Sequence, residues 1–456
     1  MKGKKFYIVL AFVLLASACV AAYFIFRKGN GYRSAIPRDA KAVMVVDLSN
    51  VAQDLGLSAA QLIRHYDNIR DSGVDLACPV YGFISKDGYL GLVAALSDAD
   101  DVDELLRGAG FETEARRGMT WATIGTFLLV HDDDKVLLMG PSSLTGAESL
   151  YDEMASLMIQ GSSESDMLLS LDEQPGDIKY YSRADILPET LMASIREQLP
   201  EGADLSTVEL IASMRISNRK LTLDTRLQFN DPRLEEYFNA YNSCFRPVSG
   251  DLITLAPADP VVWACANVDG ADYLELMRHY KRLRPVLAAL STQFDVDQML
   301  NAVDGDVTVS VPAVSLGKLE SLFLAQVSPK ASFTPDAVLS WSGGEWQTGL
   351  CTNAEHKGER LFFVSNSERL ASQAGSRGSS AAYRALSQEI VGCVFFASVN
   401  LSKMLYAVMP YFKMFGASPG LYRGIEALDR LNVRVPDFTH YYIELTLNED
   451  LKSLLP

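Results

Sequence analysis

The fold is decided by residues 36–48, whose sequence reads IPRDAKAVMVVDL. A proline and an aspartate favour a turn, an apolar strand follows, and Asp47 stands where a helix can begin. Residues 256–268, APADPVVWACANV, repeat this order, with Pro257 matching Pro37 and Asn267 matching Asp47 at an offset of 220 residues. The recurrence predicts that one architecture is used twice.

The ends of the two segments also match. Apolar and polar residues alternate over 221–229 and again over 441–447, and each stretch follows a turn-forming pair. Strict alternation predicts strands with one face buried and the other wet. Short turns between most strands favour antiparallel sheets with helices on one face over a doubly wound parallel sheet.

We therefore predict an α+β protein. It comprises an N-terminal membrane anchor at 1–28, a first α+β repeat at 34–249 and a second α+β repeat at 250–456. Within each copy, helix caps are expected at Asp47 and Asn267, then at Asp185 and Asn400, and a helix is expected to begin at Asp231.

The N-terminal leader predicts where in the cell the protein lies. Residues 6–26 carry no charge, and about 20 such residues cross a bilayer as a helix. Lysines before this run favour a cytoplasmic N-terminus and an exported body, although Arg27, Lys28 and two further arginines follow it. We expect a single-pass protein of the bacterial inner membrane with its body in the periplasm.

Two alternatives for the leader stay open. Ala16-Ser17-Ala18 is typical of a signal-peptide cleavage site, which would give a soluble product. Cys19 directly after it resembles the lipid acceptor of a bacterial lipoprotein, but Ala16 stands where that pattern usually has leucine.

The charge balance restricts the partners. The formal net charge is −16, and leaving out the five basic residues of the anchor region gives −21 for the rest. An acidic body repels nucleic-acid phosphates and anionic lipid head groups, so we expect no nucleic-acid partner.

The motif I-P-x-D-A at residues 36–40, the apolar strand after it and Asp47 carry a resemblance to a known family. With the N-terminal anchor and the total length, the chain resembles the domain of unknown function 4836 family of anchored envelope proteins of Bacteroidetes. The resemblance implies an envelope location and brings no functional residues.

Motifs for known chemistry are weak. The five histidines lack zinc spacing, and no serine elbow or phosphate loop occurs. His65 and His279 recur in Arg-His-Tyr, which favours the polar face of a repeated helix over a duplicated site. His131-Asp132-Asp133-Asp134 reads better as a hairpin loop than as a metal site, and the acids near Asp100 as residues that begin a helix. We predict no cofactor and no catalytic or metal-binding residues.

The cysteines give a similar picture. Cys265 and Cys393 lie in apolar strands, where cysteine behaves as a small hydrophobic residue. The density of cysteine is too low for a disulfide framework, although one bridge stays open in an oxidising compartment.

An apolar, methionine-rich segment follows Asn400 and differs from the amphipathic stretch after Asp185. A helix that is apolar on all sides packs inside a core or faces a partner or lipid. The residues expected to contact a partner or ligand are Met404, Tyr406, Met409, Tyr411, Phe412, Met414 and Phe415.

These observations predict a membrane-anchored envelope protein with a non-catalytic periplasmic binding or scaffolding module, and an envelope protein or a hydrophobic ligand as its partner. Two alternatives stay open: a carrier of lipid or another hydrophobic ligand through the segment after Asn400, and an envelope hydrolase whose carboxylates meet only in the folded chain.

Overall fold

The computed structural model describes most of the chain. The described residues are 30–57, 72–161, 165–186, 193, 196, 199–255, 260–279, 283–291, 296–315, 318–328, 350–356, 359–365, 389–406 and 424–454. The leader and the segment 62–66 lie outside them. Within the described residues, no helix is both long and apolar enough to cross a membrane.

The described part of the chain forms two compact units. Unit 1 holds the described residues up to 186 together with 208–225 and 450–454, and unit 2 holds the described residues within 193–207 and 226–449. Each unit is therefore assembled from separate stretches of the sequence, and one of the boundaries, between residues 225 and 226, falls within a strand.

Nineteen strands lie in the described residues. The first ten are β1 Ala42–Val46, β2 Val80–Ile84, β3 Leu90–Ala95, β4 Thr113–Arg116, β5 Met119–Ile124, β6 Phe127–His131, β7 Lys135–Gly140, β8 Ile178–Arg183, β9 Val208–Ser217 and β10 Lys220–Phe229. The others are β11 Phe245–Arg246, β12 Val262–Asp269, β13 Val303–Ser315, β14 Lys318–Val327, β15 Leu350–His356, β16 Glu359–Ser365, β17 Phe395–Asn400, β18 Leu428–Asp437 and β19 His440–Leu447.

Helices connect the strands. Those with defined bounds are α1 Leu48–Asp54, α2 Ala99–Gly108, α3 Ala147–Ile159, α4 Asp166–Asp172, α5 Pro232–Ser243, α6 Gly270–His279, α7 Leu283–Ser291, α8 Val296–Ala302 and α9 Leu451–Leu454. Asp47 caps α1 by accepting the Asn50 N–H, and Asp231 caps α5 by accepting the Arg233 N–H, as the sequence predicts. Asp185 lies inside a short 3-10 helix, Ala184–Ile186.

The strand pairings of described register are all antiparallel, and they recur in the same order in the two units. In unit 1, β1 pairs with β2 and β8, β2 with β3, β3 with β7, and β8 with β9. In unit 2, β12 pairs with β13 and β17, β13 with β14, β14 with β16, and β17 with β18. This arrangement is the α+β class that the sequence predicts.

The pairing registers of β1 in unit 1 and β12 in unit 2 also correspond. Equivalent backbone hydrogen bonds lie at the start of both strands. These bonds run from Lys41 N–H to Ile84 O and from Arg183 N–H to Lys41 O in unit 1, and from Val261 N–H to Val311 O and from Asn400 N–H to Val261 O in unit 2. Position 43 in unit 1 therefore corresponds to position 263 in unit 2.

Helices cover both faces of the unit 1 sheet, which corrects the prediction of one covered face. Val43 and Val45 pack in a core with residues of α3 and α4, whereas Val46 packs in a second core with residues of α1 and α2. The physical reason is the composition of β1. All of its residues are apolar, so the side chains on both faces of the strand have to be buried.

The cap predicted at Asn267 is wrong. Strand β12 continues to Asp269, which pairs with Asp304, and helix α6 begins two residues later than predicted. The Asp272 N–H donates to Asp269 Oδ1, so Asp269 does for α6 what Asp47 does for α1. The longer pairing with β13 keeps Asn267 inside the strand.

Candidate functional site

The predicted contact segment is described only at its start. Asn400 accepts the Lys403 N–H at 2.9 Å and so caps the helical residues 401–406, as predicted. Met404 is half-buried there, and Tyr406 is 83% exposed. Outside the described residues lie Met409, Tyr411, Phe412, Met414, Phe415 and the lipidation candidate Cys19.

The His131 stretch is the hairpin loop that the sequence favours. Asp132 Oδ1 accepts the N–H groups of Asp134 and Lys135, which closes the turn between β6 and β7. The buried His131 ring contacts Asp103 of α2 at 3.1 Å, a pair that spacing did not reveal. Across the described ranges, no three His, Cys, Asp or Glu side chains are placed to hold a metal ion.

His279 and the described cysteines have environments that indicate a structural role. His279 lies exposed at the end of α6, and its Nδ1 contacts the Glu275 carbonyl one turn earlier. Burial raises the pKa of the Cys265 and Cys393 thiols, which keeps them protonated and unreactive. Free thiols are described at Cys78, Cys244, Cys265 and Cys393.

A line of directly paired residues crosses five strands of unit 2. It runs Ser310, Trp263, Ser398, Asn432, Glu444, one residue each from β13, β12, β17, β18 and β19. Residues directly opposite each other in antiparallel strands project to the same face of a sheet, so these five side chains form one row. We call it the polar row.

The polar row is buried. Ser310 is 0% exposed, Asn432 is 5% exposed and Glu444 is 6% exposed. The alternation in β19 predicts a wet face at Glu444, and the structure corrects this: Glu444 is shielded from solvent, and its neighbour Ile443 is only half-buried.

Two polar atoms of the row have no partner. Among the described residues, Ser310 Oγ and Asn432 Oδ1 form no hydrogen bond. A buried polar group without a hydrogen bond costs about 1–3 kcal/mol. A buried group of this kind calls for a partner, which ordered water or a ligand can supply.

The same row in unit 1 is apolar and aromatic. Its members are Phe83, Val43, Tyr181 and Ile211, paired across β2, β1, β8 and β9. All four belong to the core that packs against α3 and α4. The register that builds a core in unit 1 thus carries serine and asparagine in unit 2.

Charged and aromatic side chains border the polar row. Arg430 Nη1 donates to Ser398 Oγ at 3.4 Å, and Arg434 Nη2 lies 3.5 Å from Glu444 Oε2. The Arg434 guanidinium also lies 4.1 Å from the ring centroid of Tyr442. Within the row itself, Trp263 packs in an apolar cluster beside Phe396.

A buried carboxylate fixes the strands at one end of this face. Asp306 accepts hydrogen bonds from the N–H and Oγ of Ser249, from the Gly250 N–H and from Asn267 Nδ2, at 2.8–3.0 Å. Each bond fills an acceptor position, so the group is structural. This carboxylate holds the 249–250 turn, where the sequence places the boundary between the two predicted repeats.

A set of acidic side chains in unit 1 is the observation that favours the hydrolase alternative. Burial raises the pKa of Glu153, and the nearby charges of Asp87 and Asp39 add to the effect. Asp39 itself lies 3.8 Å from Lys86 Nζ. A carboxyl with a raised pKa beside other carboxylates is the arrangement that general-acid chemistry uses.

Sequence reasoning missed the polar row because the five residues are scattered over 182 positions between 263 and 444. The signal available in the sequence was the contrast between Val43, Tyr181 and their counterparts Trp263 and Ser398. To recognise these residues as counterparts, one must know the pairing register of four strands, and only the folded structure gives that register.

The fold and the row define an α+β protein with a buried polar face in one of its two units. A family model described as "Domain of unknown function (DUF4836)" matches residues 48–342. This match covers more than half of the chain, so the chain belongs to the DUF4836 family, as the resemblance indicates. No curated protein matches it.

Solved structures give a distant likeness. A structure of crystal form I of the protein TP0453 is 11% identical, with a TM-score of 0.30, and the match covers 48% of this chain and 89% of that chain. Its crystal form III is likewise 11% identical, with a TM-score of 0.31, covering 44% and 81% respectively.

Proposed function

We propose that the chain is a membrane-tethered envelope protein whose body is a non-catalytic binding module, with the polar row of unit 2 as its binding site. The single observation that carries this proposal is the presence of two unpartnered polar atoms, Ser310 Oγ and Asn432 Oδ1, on a face that is core in unit 1. A ligand that satisfies both atoms explains their burial.

We further propose that residues 34–249 and 250–456 descend from tandem copies, each of which contributes most of one unit; residues 226–249 lie in unit 2 and residues 450–454 in unit 1. The common order of strand pairings and the matching bonds at Lys41 and Val261 support this. Under this proposal one copy kept an apolar core, whereas the other exchanged part of it for polar groups.

The tether is proposed from the leader, by the uncharged run at 6–26. The residues after it support a close attachment, because Tyr32 and Ile36 are buried in the core of unit 1. The Tyr32 hydroxyl donates to the Pro79 carbonyl, and Arg33 pairs with Asp172 at 2.8 Å. The body therefore begins within a few residues of the run, with the periplasm as its proposed compartment.

Unfolding measurements on the ligand-free full chain test the binding site. Ser310→Ala and Asn432→Val remove a buried polar atom without a partner, so each should raise the free energy of unfolding by about 1 kcal/mol. Ser243→Ala, an exposed hydroxyl of unit 2, is the matched control and should change little. A clear loss of stability in both variants would mean that the row is satisfied within the protein, and the proposal would fail.

A second candidate, hydrolysis at Glu153, is favoured by the raised pKa of that carboxyl beside Asp87. It predicts an activity toward envelope glycosides that Glu153→Gln abolishes and Lys86→Gln retains. An activity that survives Glu153→Gln would reject this candidate.

A further inference from the structure

Two large apolar side chains of unit 1 are exposed near the point where the described chain begins. Ile159, the last residue of α3, is 60% exposed, and Leu169 of α4 is 48% exposed. The residues just before them, Met158 and Leu168, are buried in the core of unit 1. The two exposed side chains therefore stand outside that core and offer apolar surface to a partner.

Ile159 lies close to the 3-10 helix Asn30–Ala35. Helix α3 ends at Ile159, and Gly161 follows two residues later, against Ser34 of the 3-10 helix. A methyl group placed on Gly161 would lie only 2.9 Å from Ser34 Cβ, so the two residues are closely packed. The end of α3 is thus held beside the start of the body.

Leu169 is close to the same 3-10 helix. Arg33 of that helix places its Nη2 atom 2.8 Å from Asp172 Oδ2. Asp172 follows Leu169 by three residues on α4, and side chains with this spacing are neighbours on one face of a helix. Ile159 and Leu169 therefore both lie near the segment through which the leader reaches the body.

The leader limits how far this segment can stand from a bilayer, and this step rests on the proposed tether. Residues 27–29 alone separate the uncharged run at 6–26 from Asn30. Four residue steps of at most about 3.6 Å put Asn30 within roughly 14 Å of the end of the run. If the run spans the bilayer, the 3-10 helix begins within reach of the lipid head groups.

The tether also makes a small apolar contact sufficient. Two side chains bury too little surface to hold a free protein at a bilayer. A tethered body meets the same bilayer as an intramolecular event, so a contact that is weak by itself is formed at a high effective concentration.

Charge selects the kind of lipid. Exposed carboxylates stand on both sides of Leu169 on α4, at Asp166 and Asp172, and the chain as a whole has a net charge of −16. Anionic head groups repel such a surface, whereas zwitterionic head groups do not. We infer that this end of unit 1 lies on a zwitterionic phospholipid surface, with the side chains of Ile159 and Leu169 among the head groups.

Fluorescence quenching on the full chain, reconstituted in phosphatidylethanolamine–phosphatidylcholine vesicles, tests this inference. An environment-sensitive label is attached through Ile159→Cys or Leu169→Cys, and the vesicles carry lipid that is spin-labelled at the head group. The unsubstituted chain, treated in the same way, gives the signal of the native cysteines. We expect quenching at both positions to be about twofold or more stronger than at the control position.

The control is Leu144→Cys, which labels another exposed apolar residue of unit 1. Leu144 is 50% exposed and precedes the opposite end of α3, a helix of 13 residues that is about 20 Å long. All three substitutions replace exposed side chains, so each variant should keep the Tm of the wild type.

The outcomes separate this inference from the tether. Equal quenching at all three positions, in a chain that stays in the vesicles after an alkaline wash, would overturn the lipid contact and leave the tether in place. Quenching at 159 and 169 that grows when phosphatidylglycerol replaces half of the lipid would overturn the zwitterionic surface. Loss of the chain from the vesicles would reject the tether and this inference together.

Discussion

Ser398 on β17 lies directly opposite Asn432 on β18, at the place in unit 2 where unit 1 pairs Tyr181 with Ile211. An aromatic–aliphatic pair stabilises a sheet by packing, whereas a serine–asparagine pair buried in the same position requires hydrogen bonds. The same strand register therefore forms an apolar core in unit 1 and, under the proposed function, a binding site in unit 2.

Asp306 should be a strong determinant of stability in unit 2. Asp306→Ala leaves its donors on Ser249, Gly250 and Asn267 unmatched, and we expect the free energy of unfolding to fall by about 3–5 kcal/mol. Urea unfolding provides the measurement. Asp304→Ala is the control, because its ion pair with Arg246 is partly exposed and is worth less than about 1 kcal/mol. Equal losses in both variants would contradict a structural role specific to Asp306.

Asp177 should make the stability of unit 1 depend on pH. Burial raises the pKa of its carboxyl to about 6 from the ordinary 3.8. The folded chain then binds more protons than the unfolded chain between these values, so stability falls as the pH rises from about 4 to about 6.

Asp177→Asn removes this titration and leaves an oxygen to accept the Ile216 N–H. We expect the variant to be more stable than the wild type by about 1–3 kcal/mol at neutral pH, and the difference to shrink near pH 4. Unfolding curves at both pH values measure it, with the exposed Asp133→Asn as control. A difference that does not change with pH would refute the assignment.

Tyr406 should contribute to a contact outside the fold. Its side chain is 83% exposed, so Tyr406→Ser should leave the free energy of unfolding within about 0.5 kcal/mol of the wild type. The same change should reduce the recovery of a cross-linked envelope partner from intact cells. Val391→Ser, another exposed apolar residue of unit 2, is the matched control and should retain the cross-link. Recovery that is the same in both variants speaks against a contact through Tyr406.

The leader should hold the body to the membrane without lipid on Cys19. We expect the Cys19→Ala variant to remain in the membrane fraction after an alkaline carbonate wash, because residues 6–26 are long enough to span the bilayer. Release of this variant, with retention of the wild type, would identify a lipoprotein. Release of both would indicate a cleaved leader.

Much of the fold was predictable because local chemistry dictates it. Asp47 and Asp231 cap helices where a short acidic side chain precedes an apolar run, and the alternating residues of β10 and β19 form strands. The cap at Asn267 was wrong because β12 extends through long-range pairing with β13, and local propensity does not report such pairing.

The polar row was beyond prediction for the same reason. Serine and asparagine that alternate with apolar residues predict a solvent-exposed face of a strand. The pairing of Trp263 with both Ser310 and Ser398 shows instead that these serines share a face with a buried tryptophan. Burial of Glu444 likewise depends on what packs over the sheet, not on the neighbours of Glu444 in the chain.

Native mass spectrometry of the full chain, purified from its own membranes, tests the binding proposal most directly. A ligand enclosed in a site as buried as Ser310 and Asn432 should survive purification. We predict a non-covalent small-molecule adduct on the wild type that is absent from the Ser310→Ala/Asn432→Val variant. Bare protein in both samples, or the same adduct on both, would contradict a ligand held by the polar row.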